Sequence, residues 1–82
     1  TNQAFVIYPN PFSVQAVLTS GHPLQNATLT VENCLGQTVI LIQGINGQTL
    51  IFQRDKLANG LYFVHLMEND KVIATQKIFI ID

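Results

Sequence analysis

The chain carries very little charge, which limits the partners it can recognise. Charged residues make up 11% of its 82 residues, and the formal net charge is −1, whereas an average globular protein has about 25% charged residues. Nucleic-acid binding needs a basic stripe that neutralises several phosphates. The four cations are too few and too scattered to form one, so we expect no nucleic-acid partner. They are Arg54, Lys56, Lys71 and Lys77.

Long apolar segments are also missing. The longest strictly aliphatic run is the four residues at 39–42, far short of the ~20 apolar residues that a membrane-spanning helix needs. We therefore expect no transmembrane segment. No signal-peptide pattern is visible and the chain starts at Thr1 without an initiator methionine. The length of 82 residues predicts a single domain, residues 1–82, and the missing methionine predicts that this domain is a piece of a longer precursor.

The residues needed for catalysis or for metal binding are few and far apart. One cysteine, Cys34, cannot form a disulfide within the chain, and with the distant His22 and His65 it does not form a metal-binding pattern. No histidine is spaced to pair with a carboxylate, and no glycine-rich loop joins a strand to a helix. We therefore expect no catalytic residue, no metal site and no cofactor, and hence no enzyme.

Short β-rich runs separated by turn residues make up the rest of the chain. No helical periodicity is present, and one run alternates cleanly between apolar and polar residues. Asn46-Gly47 is a typical hairpin pair. The pattern predicts an all-β fold, an immunoglobulin-like antiparallel β-sandwich of about seven strands. The predicted strands are 5–8, 14–18, 27–33, 38–43, 48–53, 61–67 and 72–81.

Alternation also predicts the core and one specific corner. Gly60 followed by Tyr62 at a strand start is typical of a tyrosine corner, in which the hydroxyl bonds to the backbone a few residues upstream. The predicted core residues alternate along their strands. They are Leu29, Val31, Val39, Leu41, Leu50, Phe52, Tyr62, Val64 and Leu66.

Four motifs occur in a fixed order along the chain: VIYPNPF at 6–12, VENCLGQTV at 31–39, LANGLYFV at 57–64 and QKIFI at 76–80. Together they resemble the type A C-terminal sorting domain of the type IX (Por) secretion system. That family has an early Tyr-Pro-Asn-Pro, a central aliphatic strand leading to glycine, a Leu-x-x-Gly-x-Tyr corner and a terminal lysine followed by β-branched residues. The resemblance covers nearly the whole chain.

The resemblance implies a secretion signal attached to the C-terminus of a cargo protein. It implies transit through the periplasm, recognition by the outer-membrane secretion machinery, and delivery to the outer membrane, the cell surface or the medium. It also implies removal by a sortase, with attachment of the cargo to the surface. The residues that match the family's motifs are Pro9, Asn10, Pro11, Gly60, Tyr62, Lys77, Ile78, Phe79 and Ile80.

The terminal motif invites a more specific hypothesis. The stretch 78–81 is apolar on both faces, and at a sheet edge it would offer unpaired backbone groups for capture by strand addition. Edge strands also predict self-association, because few charges protect the surface. For the early motif and the corner we favour a structural role, since proline ends strands and Gly60 and Tyr62 build the corner.

Two other functions fit the same pattern. A fibronectin-like spacer or adhesion module of an extracellular enzyme would show the same strands, but it could lie anywhere in its precursor. A carbohydrate-binding module is a weaker alternative, because the chain has no tryptophan and several of its seven aromatic residues are needed for the core.

Overall fold

Five antiparallel strands form the fold in the computed structural model, which describes residues 5–81. Every strand pairing is antiparallel, and no helix occurs in the described part of the chain. The all-β prediction is confirmed. The strands are β1 (Phe5–Tyr8), β2 (Gln15–Glu32), β3 (Thr38–Gln53), β4 (Gly60–Glu68) and β5 (Lys71–Ile80).

The long strand β2 organises the sheet because its two halves have different neighbours. Its first half pairs with β1 and its last five residues pair with β4, while β3 follows it along the opposite side. The strand order is β1-β2-β4-β5, with β3 on β2. Since β2 and β3 run together from one end of the sheet to the other, the sheet curls into a sandwich-like half-barrel.

The strand count differs from the sequence-based prediction, because residues 5–81 form five strands instead of about seven. The predicted strands 14–18 and 27–33 are both parts of β2, and 38–43 and 48–53 are both parts of β3. The residues between them were predicted to be turns, but they lie opposite each other in the β2–β3 ladder, as the pairs Leu24–Gly47 and Ala27–Ile45 show. Register shifts there bend both strands without ending either.

The predicted hairpin at Asn46-Gly47 is therefore wrong. Asn46 lies within β3, where its Oδ1 accepts a hydrogen bond from the N–H of Asn26 at 3.0 Å. Its own amide donates to the carbonyl of Gly44 at 3.2 Å. The polar side chain that suggested a turn instead bonds to backbone groups where the two strands bulge.

One apolar core lies inside the curl and draws on all five strands. Six of the nine predicted core residues are buried, and Leu50 is half-buried against them. Val39 and Leu41 are exposed, by 37% and 57%, so the prediction for them is wrong. The buried six are Leu29, Val31, Phe52, Tyr62, Val64 and Leu66.

The error at Val39 and Leu41 has a simple cause. All four residues at 39–42 are aliphatic, so alternation does not tell which pair faces inward. In the structure Ile40 and Ile42 pack against the core. Val39 is the extra residue of a bulge, because Val31 pairs with Ile40 while Glu32 pairs with Thr38.

Candidate functional site

The early and terminal motifs meet at one end of the molecule. Phe12 forms a parallel bridge with Ile80. Its N–H donates to the carbonyl of Phe79 at 3.0 Å, and its carbonyl accepts from the N–H of Ile81 at 2.9 Å. Two segments separated by most of the sequence therefore share backbone hydrogen bonds at the outer edge of β5.

Asn10 extends this contact with its side chain. Its Nδ2 donates to the carbonyl of Lys77 at 3.0 Å, and its Oδ1 accepts from the N–H of Phe79 at 3.0 Å. A primary amide offers a donor and an acceptor, so one side chain supplies the two bonds that a neighbouring strand would make. The flanking Pro9 and Pro11 have no N–H to satisfy, and the peptide bonds that precede them are both cis.

The outer edge of β5 is therefore closed between residues 77 and 81. We predicted that an edge position would leave the backbone groups of this strand unpaired. The structure places β5 at the end of the strand order, but the segment from Asn10 to Phe12 takes up the outward groups of Lys77, Phe79 and Ile81. That prediction is wrong for this stretch.

The corner motif supports β5 from its inner side. Gly60 pairs with Ile80 and Tyr62 pairs with Ile78. The Tyr62 hydroxyl donates to the carbonyl of Ala58 at 2.7 Å, which confirms the predicted tyrosine corner. Gly60 has φ +149°, a backbone conformation that side chains disfavour, so glycine suits the start of β4.

The nine motif residues thus lie together but divide into two groups. Tyr62, Ile78 and Ile80 are buried, with Ile78 at 0% exposure. Lys77 is exposed, and Phe79 is 45% exposed despite its size. The rest of the exposed group is Pro9, Asn10, Pro11 and Gly60. We call the exposed residues Pro9, Asn10, Pro11, Lys77 and Phe79 the terminal surface.

Arg54 also belongs to this region, although sequence reasoning counted it only as a scattered cation. Its Nη1 donates to the carbonyls of Ser13 at 3.0 Å and Ile81 at 3.3 Å. Its Nε donates to the carbonyl of Leu57 at 3.2 Å, and its Nη2 to Oδ1 of Asn59 at 2.6 Å. A guanidinium has five donors in a fixed plane, and here it joins three separate segments. The one signal in the sequence was that the chain has a single arginine.

A second polar cluster lies at the bend of β2, away from the terminal surface. Glu68 accepts from the backbone N–H of Gln25 at 2.9 Å and contacts Nε2 of His22 at 3.3 Å. The hydrogen bond from Gln25 first, and then the contact with His22, lower the pKa of Glu68 below its ordinary value of 4.5. The carboxylate thus ties the β2 bend to the end of β4.

The described residues offer surface for recognition and few groups for chemistry. No set of three or more histidine, cysteine, aspartate or glutamate side chains within residues 5–81 could hold a metal ion. Cys34 is an exposed free thiol whose Sγ lies 3.3 Å from the carbonyl of Leu61. Residues 5–81 contain no helix that is long and apolar enough to cross a membrane.

The fold is that of a small antiparallel β domain in which the early and terminal motifs are joined across the molecule by hydrogen bonds. The family model of the secretion system C-terminal sorting domain matches residues 6–81. The chain therefore belongs to this family, the sorting domains of type IX secretion, as its motifs predict. No curated protein sequence matches the chain.

Family membership gives the function in outline. The domain is a C-terminal sorting signal, a non-catalytic tag attached to an N-terminal cargo and recognised by the secretion machinery. Its cargo is exported to the outer membrane, the cell surface or the medium. The match spans all nine motif residues, from Pro9 to Ile80.

Proposed function

We propose that the secretion machinery reads the terminal surface as one composite signal and that a sortase then removes the domain or attaches its cargo to the cell surface. The observation that carries this proposal is a pair of hydrogen bonds of 3.0 Å each: the Asn10 side chain donates to the carbonyl of Lys77 and accepts from the N–H of Phe79. These bonds place the early motif beside the terminal motif, so a single partner can contact both.

The exposure of the terminal surface supports direct recognition. Lys77 is an exposed cation in a chain with only four cations. Phe79 lies two residues further along, on the same face of β5, and its aromatic side chain is 45% exposed. Aromatic and cationic groups are common anchors in protein interfaces. The buried Ile78, Ile80 and Tyr62 contribute by holding this surface in shape.

A reporter fusion tests the recognition step. The domain is fused to the C-terminus of an exported reporter in a host with type IX machinery, and the reporter is assayed in periplasm, outer membrane and medium. We expect the fusion to reach the surface or the medium. Without the domain, the reporter should accumulate in the periplasm. Full secretion without the domain would refute the sorting role and favour the spacer function.

Charge reversal tests the surface without removing a strand. Lys77→Glu should change the free energy of unfolding by less than about 0.5 kcal/mol, because the side chain is exposed. It should nevertheless reduce secretion sharply. Lys71→Glu is the matched control, since Lys71 is also exposed on β5 but lies at the strand's other end. A folded Lys77→Glu variant that is secreted like Lys71→Glu would place recognition elsewhere.

Mass spectrometry of the delivered reporter tests the sortase step. We expect mature surface reporter to lack the domain and to end in a new carboxyl terminus or a covalent conjugate. Lys77→Glu reporter retained in the periplasm should keep the domain. A surface reporter that carries the intact domain would contradict removal while leaving the recognition step in place.

A further inference from the structure

Within residues 5–81 no strand pairs with the outer edge of β3. β3 is hydrogen-bonded to β2 alone among the described strands. The residues of β3 whose backbone groups point outward can be identified by starting from β5. There Phe79 directs both its N–H and its carbonyl away from β4. The pair Leu61–Phe79 is therefore a non-hydrogen-bonded pair of the β4–β5 ladder.

Backbone groups of successive residues in a strand point to alternate sides, so the direction found on β5 fixes the directions on β4, β2 and β3. Leu61 and His65 have the same parity on β4, so both direct their backbone groups towards β2, where His65 pairs with Thr30. Thr30 then directs its groups to β4 and away from β3. Its partner on β3 is Leu41, whose N–H and carbonyl consequently point outward from the sheet.

The second half of β3 has the same arrangement. The N–H of Arg54 donates to the carbonyl of Val14 at 3.1 Å, which makes this a hydrogen-bonded position of the β2–β3 ladder. By alternation, Phe52 and Leu50 also face β2 with their backbone groups, and those of Ile51 point outward. The open edge therefore presents backbone donors and acceptors at both ends of β3.

The side chains along this edge carry none of the charges that usually protect an edge strand. Natural edge strands are usually guarded by charged residues, especially lysine, or by proline, and residues 38–53 contain none of these. Leu41 and Ile51 are 57% and 55% exposed. Between the two halves of β3 an open groove of about 470 Å³ is lined by the aliphatic side chains of 40–42, by Ile51, Phe52 and Gln53, and by Asp55 just beyond the strand.

We propose that β3 pairs antiparallel with the β3 of a second copy of this chain, across a two-fold axis near Leu41. Two-fold pairing places identical residues opposite each other. A charged residue on the edge would lie opposite the same charge in such a pair and would be repelled by it. The stretch 38–53 contains no charged residue, so this repulsion does not arise. The aliphatic segment 38–43 has the high β-propensity and zero charge that favour pairing with itself.

The uncharged edge also decides between possible occupants. A strand from a different protein would gain specificity from complementary charges, and this edge offers it none within 38–53. Strand pairing with a few aliphatic contacts buries less than a standard interface. The dimer should therefore be weak and dependent on concentration. Of the edge strands predicted to self-associate, β3 is the one that would form it.

Analytical ultracentrifugation of the 82-residue chain across a wide range of concentration tests the dimer. Leu41→Lys places like charges across the two-fold axis and should raise the dissociation constant by about tenfold or more. Val72→Lys and Val6→Lys are matched controls on β5 and β1, since these valines are 57% and 55% exposed. Both should leave the constant unchanged.

Amide hydrogen exchange separates backbone pairing from side-chain association. The amide of Leu41 should become more protected as concentration rises. The amide of Ile51, which lies beyond the paired stretch of β3, and the amide of Thr75, which points outward from β5, should not. The amides of Ile40 and Ile42 already bond to β2 and should change little. A monomer at every concentration would overturn the proposal and leave β3 to another partner. A dimer that Val72→Lys disrupts and Leu41→Lys does not would also overturn it.

Discussion

Two of the edge strands of this domain, β5 and β3, are both rich in apolar residues, but only β5 has its outer backbone groups hydrogen-bonded by another described segment. β5 is apolar on both faces near its end, yet its outward groups from Lys77 to Ile81 are bonded to Asn10 and Phe12. β3 is also apolar, but among the strands that the structure describes it pairs only with β2. The difference teaches that the hydrophobicity of a strand does not tell whether its edge is open. A distant segment closes one edge, and no described strand covers the other.

The strongest test of the closed side removes its inner support. Tyr62→Ala should lower the free energy of unfolding by about 3–5 kcal/mol, because it opens a cavity in a thin core opposite Ile78. Tyr62→Phe should cost only about 1 kcal/mol, the net value of the hydrogen bond to Ala58. Chemical denaturation of both variants is the measurement. Equal and negligible losses would mean that the corner does not support β5.

Removing the guanidinium tests whether Arg54 fastens the closed edge. Arg54→Ala should cost about 2 kcal/mol, because carbonyls from three segments lose a charged donor. Arg54→Lys should recover part of this, since lysine keeps the charge but not the planar set of donors. Lys56→Ala is the control, an exposed cation of the same turn. Denaturation curves in which Arg54→Ala and Lys56→Ala coincide would show that the edge closes without Arg54.

Asn10 provides a finer test of the same edge. Asn10→Ala should cost about 1 kcal/mol, because two solvent-accessible hydrogen bonds are lost. The amide of Phe79 should also exchange with solvent faster. Ser13→Ala is the control, since the Ser13 carbonyl that binds Arg54 is retained. Unchanged exchange at Phe79 would mean that another group closes the edge.

The contribution of Glu68, which ties the bend of β2 to the end of β4, depends on pH. The pKa of Glu68 is lower in the folded chain than its ordinary 4.5, so the unfolded chain takes up the proton first as pH falls. Glu68 therefore stabilises the fold above pH 4.5, and this contribution is lost as pH drops through the lowered pKa. Urea denaturation against pH should show a shallower acid loss in Glu68→Gln than in the unmodified chain. Asp70→Asn, in the adjacent exposed turn, is the comparison variant, and an identical acid loss in all three chains would contradict the role of Glu68.

The smallest stability effect is expected at the open edge. Leu41→Lys should change the free energy of unfolding of the dilute chain by less than about 0.5 kcal/mol, since its side chain already faces solvent. Ile42→Lys should cost about 2–3 kcal/mol, because Ile42 packs against the core. Thermal or chemical unfolding of the two variants measures both free-energy changes. A large loss for Leu41→Lys would show that this edge is covered within the monomer.

Several features followed from local pattern. Short runs with turn residues predicted an all-β fold, Gly60 and Tyr62 predicted the corner, and the ordered motifs predicted the family. These inferences succeed because strand propensity, alternation and turn chemistry act over a few residues. The same local rules failed at Asn46, because a hairpin turn and a bulge within a long ladder use similar residues.

The sequence by itself determined that the fold is all-β, that Tyr62 forms a corner, and that the chain belongs to the sorting-domain family. Only the tertiary structure decided which of the aliphatic pairs at 39–42 faces the core, how many strands the seven runs form, and which edge is closed. The closing contacts join Asn10 to Lys77 and Phe79, and Arg54 to Ser13 and Ile81. Alternation is a property of neighbours along the chain, whereas an edge is closed by whichever distant segment the fold brings beside it.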